Sequence, residues 1–181
     1  VIFAYFLQTH SAFFLTTFWS KQMENVLDLE EEISEYERER GKPMPSFDHA
    51  EAQTNLVVQI AQYRDFKPLP ELNVELGGMR FVPDIVVFEK SVAATLKGMM
   101  WVNVPPLLTI EILSPKQDVR SLFDKAKAYL QHGVAEAWIV VPEIKTITVC
   151  KQDGSQKTFV EGSITHASTG ITVSLEQTFE E

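Results

Sequence analysis

The chain has 181 residues, 45% of them hydrophobic and 23% charged, the balance of a soluble domain large enough for a real core. Its one cysteine, Cys150, excludes an internal disulfide framework and any cysteine-cluster zinc site, and fits a reducing compartment such as the cytoplasm. The net charge of −9 argues against a protein that grips nucleic acid by bulk charge.

That acidity is uneven. Residues 24–40 hold eight acids and two bases, whereas residues 41–181 hold 17 acids and 13 bases. The larger part is therefore only mildly acidic, and a bound cation would offset two of its acids.

Residues 1–19 are apolar and aromatic, interrupted by Gln8, Thr9, His10, Ser11, Thr16 and Thr17. No basic residue precedes the run and no small-residue cleavage site follows it. It reads as a poor signal peptide and a weak membrane span. One reading places residues 1–22 upstream of the natural start, because Met23 opens a conventional amphipathic segment; the other keeps them as a native extension. Val26, Leu29, Ile33 and Tyr36 then recur at helical spacing, with acids over the remaining surface, until Gly41-Lys42-Pro43 stops the helix. The expected organisation is an apolar extension (1–22), an acidic helix (23–43) and one domain (44–181).

Ser46 is an N-cap for a helix through about Tyr63, with Leu56, Val57, Ile60 and Ala61 as its core stripe. His49, Glu51, Gln53 and Asn55 are polar near its start; they either cap and solvate the helix or send one member towards a site. His49 has no second histidine at ligand spacing, which speaks against zinc. Gly77-Gly78 between two alternating runs marks a hairpin. Pro83-Asp84 follows, at the mouth of the apolar strand Ile85–Phe88; alone, Asp84 reads equally well as a turn residue. Residues 89–104 form a connection with room for a short helix.

Residues 107–113 are the centre of the pattern. They form a strand apolar on both faces with one carboxylate, Glu111, inside it. Thr109, Glu111 and Leu113 share one face, and Ile110 and Ile112 the other. A charge in such a strand needs a cation or hydrogen-bond donors, and a structural ion pair with a basic side chain would satisfy it too. Ser114-Pro115 ends the strand. A helix from Asp118 to about His132 follows, closed by Gly133. On its wheel Asp118, Ser121, Lys125 and Tyr129 line one edge of the core stripe and Arg120 and Lys127 the other, so the two lysines cannot serve one site. Ala137–Pro142 is the next buried strand. Thr146–Cys150 and Lys157–Val160 alternate as an antiparallel pair around Asp153-Gly154, with Cys150 as a small core residue, and Ile171–Phe179 closes the domain.

Pro83-Asp84, with Glu111 on a buried strand 27 residues later and a lysine nearby, resembles the PD-(D/E)xK nuclease superfamily. The wider string Val82-Pro83-Asp84, Glu111-Ile112-Leu113-Ser114-Pro115, Asp124-Lys125-Ala126-Lys127-Ala128-Tyr129, Gly133-Val134 and Trp138-Ile139-Val140 resembles the Uma-two family of endonucleases, over about residues 44–181. The resemblance implies an α/β, restriction-endonuclease-like fold: a mixed central sheet flanked by helices, preceded here by the N-terminal helical extension. It implies Mg2+ or Mn2+ and hydrolysis of DNA phosphodiester bonds. Asp84 and Glu111 match the two acidic positions. The superfamily's usual lysine position is Leu113 here, which cannot serve; the family pattern instead places the lysine at Lys125, with Lys127 as runner-up. Ser121, Ala137 and Val141 depart from the acid, tyrosine and aspartate usual at those positions.

On this reading Asp84, Glu111 and the carbonyl of Ile112 hold the metal, and Lys125 assists. The competing reading is a catalytically inactive nuclease-fold module that binds nucleic acid or a protein, favoured by Leu113 and the acidic charge. A metal enzyme acting on another phosphate ester is a third. DNA is the expected partner, no membrane is, and a homodimer is expected only because a duplex has two strands to cut.

Overall fold

In the computed structural model residues 44–180 are described; the expected apolar extension (1–22) and acidic helix (23–43) lie outside the described residues. Ser46 starts the first helix. Its backbone is extended and its hydroxyl accepts the His49 N–H at 3.2 Å, satisfying one donor that a helix start leaves bare. Helix α1 then runs Phe47–Ala61, with Ala52, Leu56 and Ile60 buried at four-residue spacing.

Strand β1 (Phe66–Pro70) has no alternating signature in the sequence; Pro68 and Pro70 suit an edge, where a missing N–H is tolerated. Strands β2 (Val74–Leu76) and β3 (Met79–Phe81) form the expected hairpin. Gly77 and Gly78 both take positive φ, 58° and 78°, as a two-residue turn of this twist requires. The hairpin is a ribbon of its own, outside the main sheet. Strand β4 (Ile85–Glu89) leads into a short helix α2 (Lys90–Thr95) within the long connection.

Strand β5 (Leu108–Ile112), helix α3 (Val119–Gln131) and strand β6 (Glu136–Val141) form a parallel crossover, the arrangement that carries a helix across one face of a sheet. Strands β7 (Thr146–Lys151) and β8 (Gln156–Phe159) make the second expected hairpin, turning through Gly154 at φ 82°. A ribbon of β9 (Ser163–Thr165) and β10 (Thr172–Ser174) and the short helix α4 (Leu175–Thr178) complete the described chain. The six-stranded sheet has the order β1-β4-β5-β6-β7-β8, and only β5 and β6 are parallel.

Two cores lie on the two sheet faces. Ile85, Val87, Ile110, Ile112 and Trp138 pack with Leu56 and Ile60 of α1 and with Ile164 and Val173 of the β9–β10 ribbon. Val86, Phe88, Ala137, Ile139 and Cys150 pack with Leu122, Ala126 and Tyr129 of α3. Burial raises the Cys150 thiol above its ordinary pKa, which suits an inert core residue. Because β5 alternates, Ile110 and Ile112 belong to the α1 side, and Thr109 and Glu111 face α3.

The β2–β3 hairpin is held against the end of α3. A Cβ on Gly77 would meet His132 Nε2 at 2.0 Å, and that ring is tethered by its Nδ1–H to the Ala128 carbonyl at 2.7 Å. A Cβ on Gly78 would meet nothing within 4 Å. Both substitutions strain a left-handed backbone, but Gly77→Ala should destabilise the fold by at least about 1 kcal/mol more than Gly78→Ala in urea unfolding followed by tryptophan fluorescence.

Candidate active site

Glu111 sits on the fourth of five buried residues of β5, and the residue is only 3% exposed. Its partners come from the facing helix. Asp118 caps α3, its carboxylate accepting the Arg120 N–H at 2.9 Å. With Leu122 and Ala126 committed to the core, Lys125 and Tyr129, one turn apart, lie over the same strand. Lys125 Nζ donates to Glu111 Oε2 at 2.9 Å, and the Tyr129 hydroxyl donates to Oε1 at 2.5 Å. Tyr129 is wholly buried. Burial first, then the charge and hydrogen bond of Glu111, then the charge of Asp84, push its pKa far above the ordinary phenol value, so it stays a donor. The Phe81 ring packs edge-on to it, 4.9 Å between centroids at 72°.

Asp84 is brought in by the end of a ladder. In β5 the Leu113 N–H goes to the Val140 carbonyl of β6, so by alternation the backbone groups of Ile112 face the β4 side. There β4 has run out, its last pair with β5 being Ile85 with Ile110. The Asp84 carboxylate takes the place of the missing strand: its Oδ2 accepts the Ile112 N–H at 2.7 Å. Helix α1 reaches the same residue twice. His49 Nε2 lies 3.4 Å from Asp84 Oδ2, and Gln53 Nε2 donates to the Asp84 carbonyl at 2.8 Å. The buried Asp84 thus bonds the residue next to Glu111, and both carboxylates act on one phenol.

The other candidates separate. Lys127 lies elsewhere, lining a cleft with Asp124, Cys150 and Gln152. Leu113 packs into the α3-side core. Ser121 Oγ donates to the Asp118 carbonyl at 2.7 Å and only finishes the helix start. Asn55 donates to the Thr178 carbonyl at 3.3 Å, and Glu51 lies half-buried on the same helix. Tyr129 and Gln53 make site contacts that pattern alone did not single out; the helical wheel, which aligns Lys125 with Tyr129, was the available signal.

The donor set suits a hard cation. Two carboxylates and a backbone carbonyl are all oxygen ligands, and carboxylate oxygens carry a second lone pair beyond the one a hydrogen bond uses. Among the described residues no three His, Cys, Asp or Glu side chains form a ready-made metal cage.

A family model described as "Uma2: Putative restriction endonuclease" matches residues 23–180. The chain belongs to the Uma2 family. No curated protein matches it. Among solved structures, this Uma2 member is similar to a crystal structure described as "a putative nuclease belonging to DUF820" from Anabaena variabilis, with a TM-score of 0.70 and 26% identity, over 76% of this chain and 83% of that one. The restriction-endonuclease-like mixed sheet expected from the resemblance is therefore the fold of this Uma2 chain. No helix among its described residues is long and apolar enough to cross a membrane.

Tyr129 gives the site a signed pH dependence. Its pKa is higher folded than unfolded, so its contribution is complete below the unfolded value of about 10 and is lost as pH rises further, when the unfolded chain releases the proton first. Tyr129→Phe should cost about 1–3 kcal/mol at neutral pH by removing a donor from a buried carboxylate. The gap to wild type should narrow above pH ~10 in unfolding midpoints measured across the alkaline range.

Proposed function

We propose that this chain is a metal-dependent endonuclease that hydrolyses DNA phosphodiester bonds. Uma2 membership and the nuclease-like neighbour support the class. The observation that carries the reading is a carboxylate buried mid-sheet, Glu111, joined to Lys125 from the facing helix, with Asp84 bonded to the next residue of the strand.

Nucleases of this fold generally need a divalent cation, and Asp84, Glu111 and the Ile112 carbonyl would hold Mg2+ or Mn2+. When bound, such an ion offsets the two carboxylates and relieves charge on the phosphodiester. The residues do the rest. Tyr129 fixes the rotation of Glu111 through Oε1. Lys125, 29% exposed at its side chain against 4% for Glu111, links the buried carboxylate to the solvent side. From there its ammonium orients the attacking water or meets charge on a phosphate oxygen. The overall acidity weighs less against DNA than the total suggests, because residues 24–40 carry eight of the acids and only two bases. A homodimer would offer one such site to each strand of a duplex.

A second reading is favoured by one feature. Both Glu111 oxygens already have donors, so the ion pair is self-sufficient, as in an inactive nuclease-fold module that binds nucleic acid or protein. Calorimetry with Mn2+ separates the two, since that module takes up no metal.

The direct test is nicking of supercoiled plasmid with Mn2+ or Mg2+. Asp84→Ala and Glu111→Ala should abolish nicking, Lys125→Ala should slow it by about 100-fold or more, and Lys127→Ala should leave it near wild type. Cleavage that survives Glu111→Ala comes from a contaminant and removes the proposal.

A further inference from the structure

His49 stands out among the buried polar groups. It is 4% exposed, three residues after the helix cap, on the side of α1 that faces the sheet. Its backbone N–H serves the cap, so the imidazole is not needed to start the helix. Within the ring, Nδ1 has no hydrogen-bond partner among the described residues, and Nε2 lies 3.4 Å from Asp84 Oδ2. A side chain kept for packing alone would be better served by leucine, because a buried polar atom without a partner weakens the fold. What distinguishes the imidazole from leucine at this position is the carboxylate it faces.

We infer that His49 is a positioning residue, holding the Asp84 carboxylate in the rotation that a divalent cation requires. The inference rests on the metal-dependent reading above and adds to it a named residue and a role for helix α1. Among the described residues, Asp84 Oδ2 is met by the Ile112 N–H at 2.7 Å from the strand and by His49 Nε2 at 3.4 Å from the helix. Approached from two elements, that oxygen cannot turn freely, and the direction of Oδ1 follows from it. One turn further along α1, Gln53 donates to the Asp84 carbonyl at 2.8 Å, so the same helix face grips main chain and side chain together. Residues that orient metal-holding carboxylates typically matter for affinity more than for folding. His49 acts here through Asp84, the carboxylate its Nε2 faces.

The test is Mn2+ titration calorimetry on the full chain, with thermal unfolding measured in parallel, for wild type, His49→Leu, His49→Gln and Glu111→Gln. His49→Leu should weaken Mn2+ binding by about 10–100-fold without lowering the unfolding midpoint. His49→Gln, which keeps an N–H donor, should recover most of the affinity. Affinity of His49→Leu equal to wild type, while Glu111→Gln loses uptake, overturns this inference and leaves the metal site standing. Equal losses of affinity and of midpoint in both His49 variants mean a packing role and also overturn it. A wild-type chain that takes up no Mn2+ removes the metal site and this inference together.

Discussion

A charge buried in the centre of a sheet is the constraint around which this domain is arranged. Glu111 lies on a strand covered on both faces, where an unpaired carboxylate would be prohibitively costly. Its two oxygens are met by Lys125 and Tyr129, both from α3. That these two donors share one helix matters. The parallel β5–α3–β6 crossover fixes which face the helix covers, and Leu122 and Ala126 fix its rotation. Once those apolar contacts form, the ammonium and the phenol are delivered without further adjustment.

The second acid is delivered differently. Asp84 belongs to no strand, yet its side chain accepts the Ile112 N–H that a continuing β4 would have faced. A ladder that stops two residues before the end of β5 leaves an N–H that needs an acceptor, and the carboxylate supplies it. Asp84 therefore bonds the strand right beside Glu111 because β4 ends there. Helix α1, from the opposite face, closes on the same point through His49 and Gln53. Both layers of the domain thus converge on one short stretch of β5.

An ammonium from a helix is not equivalent to one from the strand itself. At Leu113 a side chain two residues along β5 would share the face of Glu111; the leucine there joins the apolar core instead. Lys125 approaches across the gap between sheet and helix, so its position depends on how α3 packs and not on the strand alone. The phenol of Tyr129, kept protonated by burial and two nearby carboxylates, ties that packing to the orientation of Glu111. Stability of the α3-side core and geometry of the site are thereby the same property.

Much of this was legible in the chain itself, wherever the cause is local. The Ser46 cap, the Gly77-Gly78 turn, the strand ending at Ser114-Pro115 and the facing of Glu111 follow from backbone rules that act over a few residues, whereas Asp118, read as the first residue of its helix, turns out to be its cap. The helical wheel already separated Lys125 from Lys127, since 3.6 residues per turn leaves no choice. Strand β1 was not legible, because its prolines hide an edge strand that only its pairing with β4 reveals. Nor could pattern choose among His49, Glu51, Gln53 and Asn55. Which of them faces Asp84 depends on how α1 lies across the sheet, and that is decided by Leu56 and Ile60 meeting side chains far away in sequence. Periodicity assigns a residue to a face; only packing decides what that face meets.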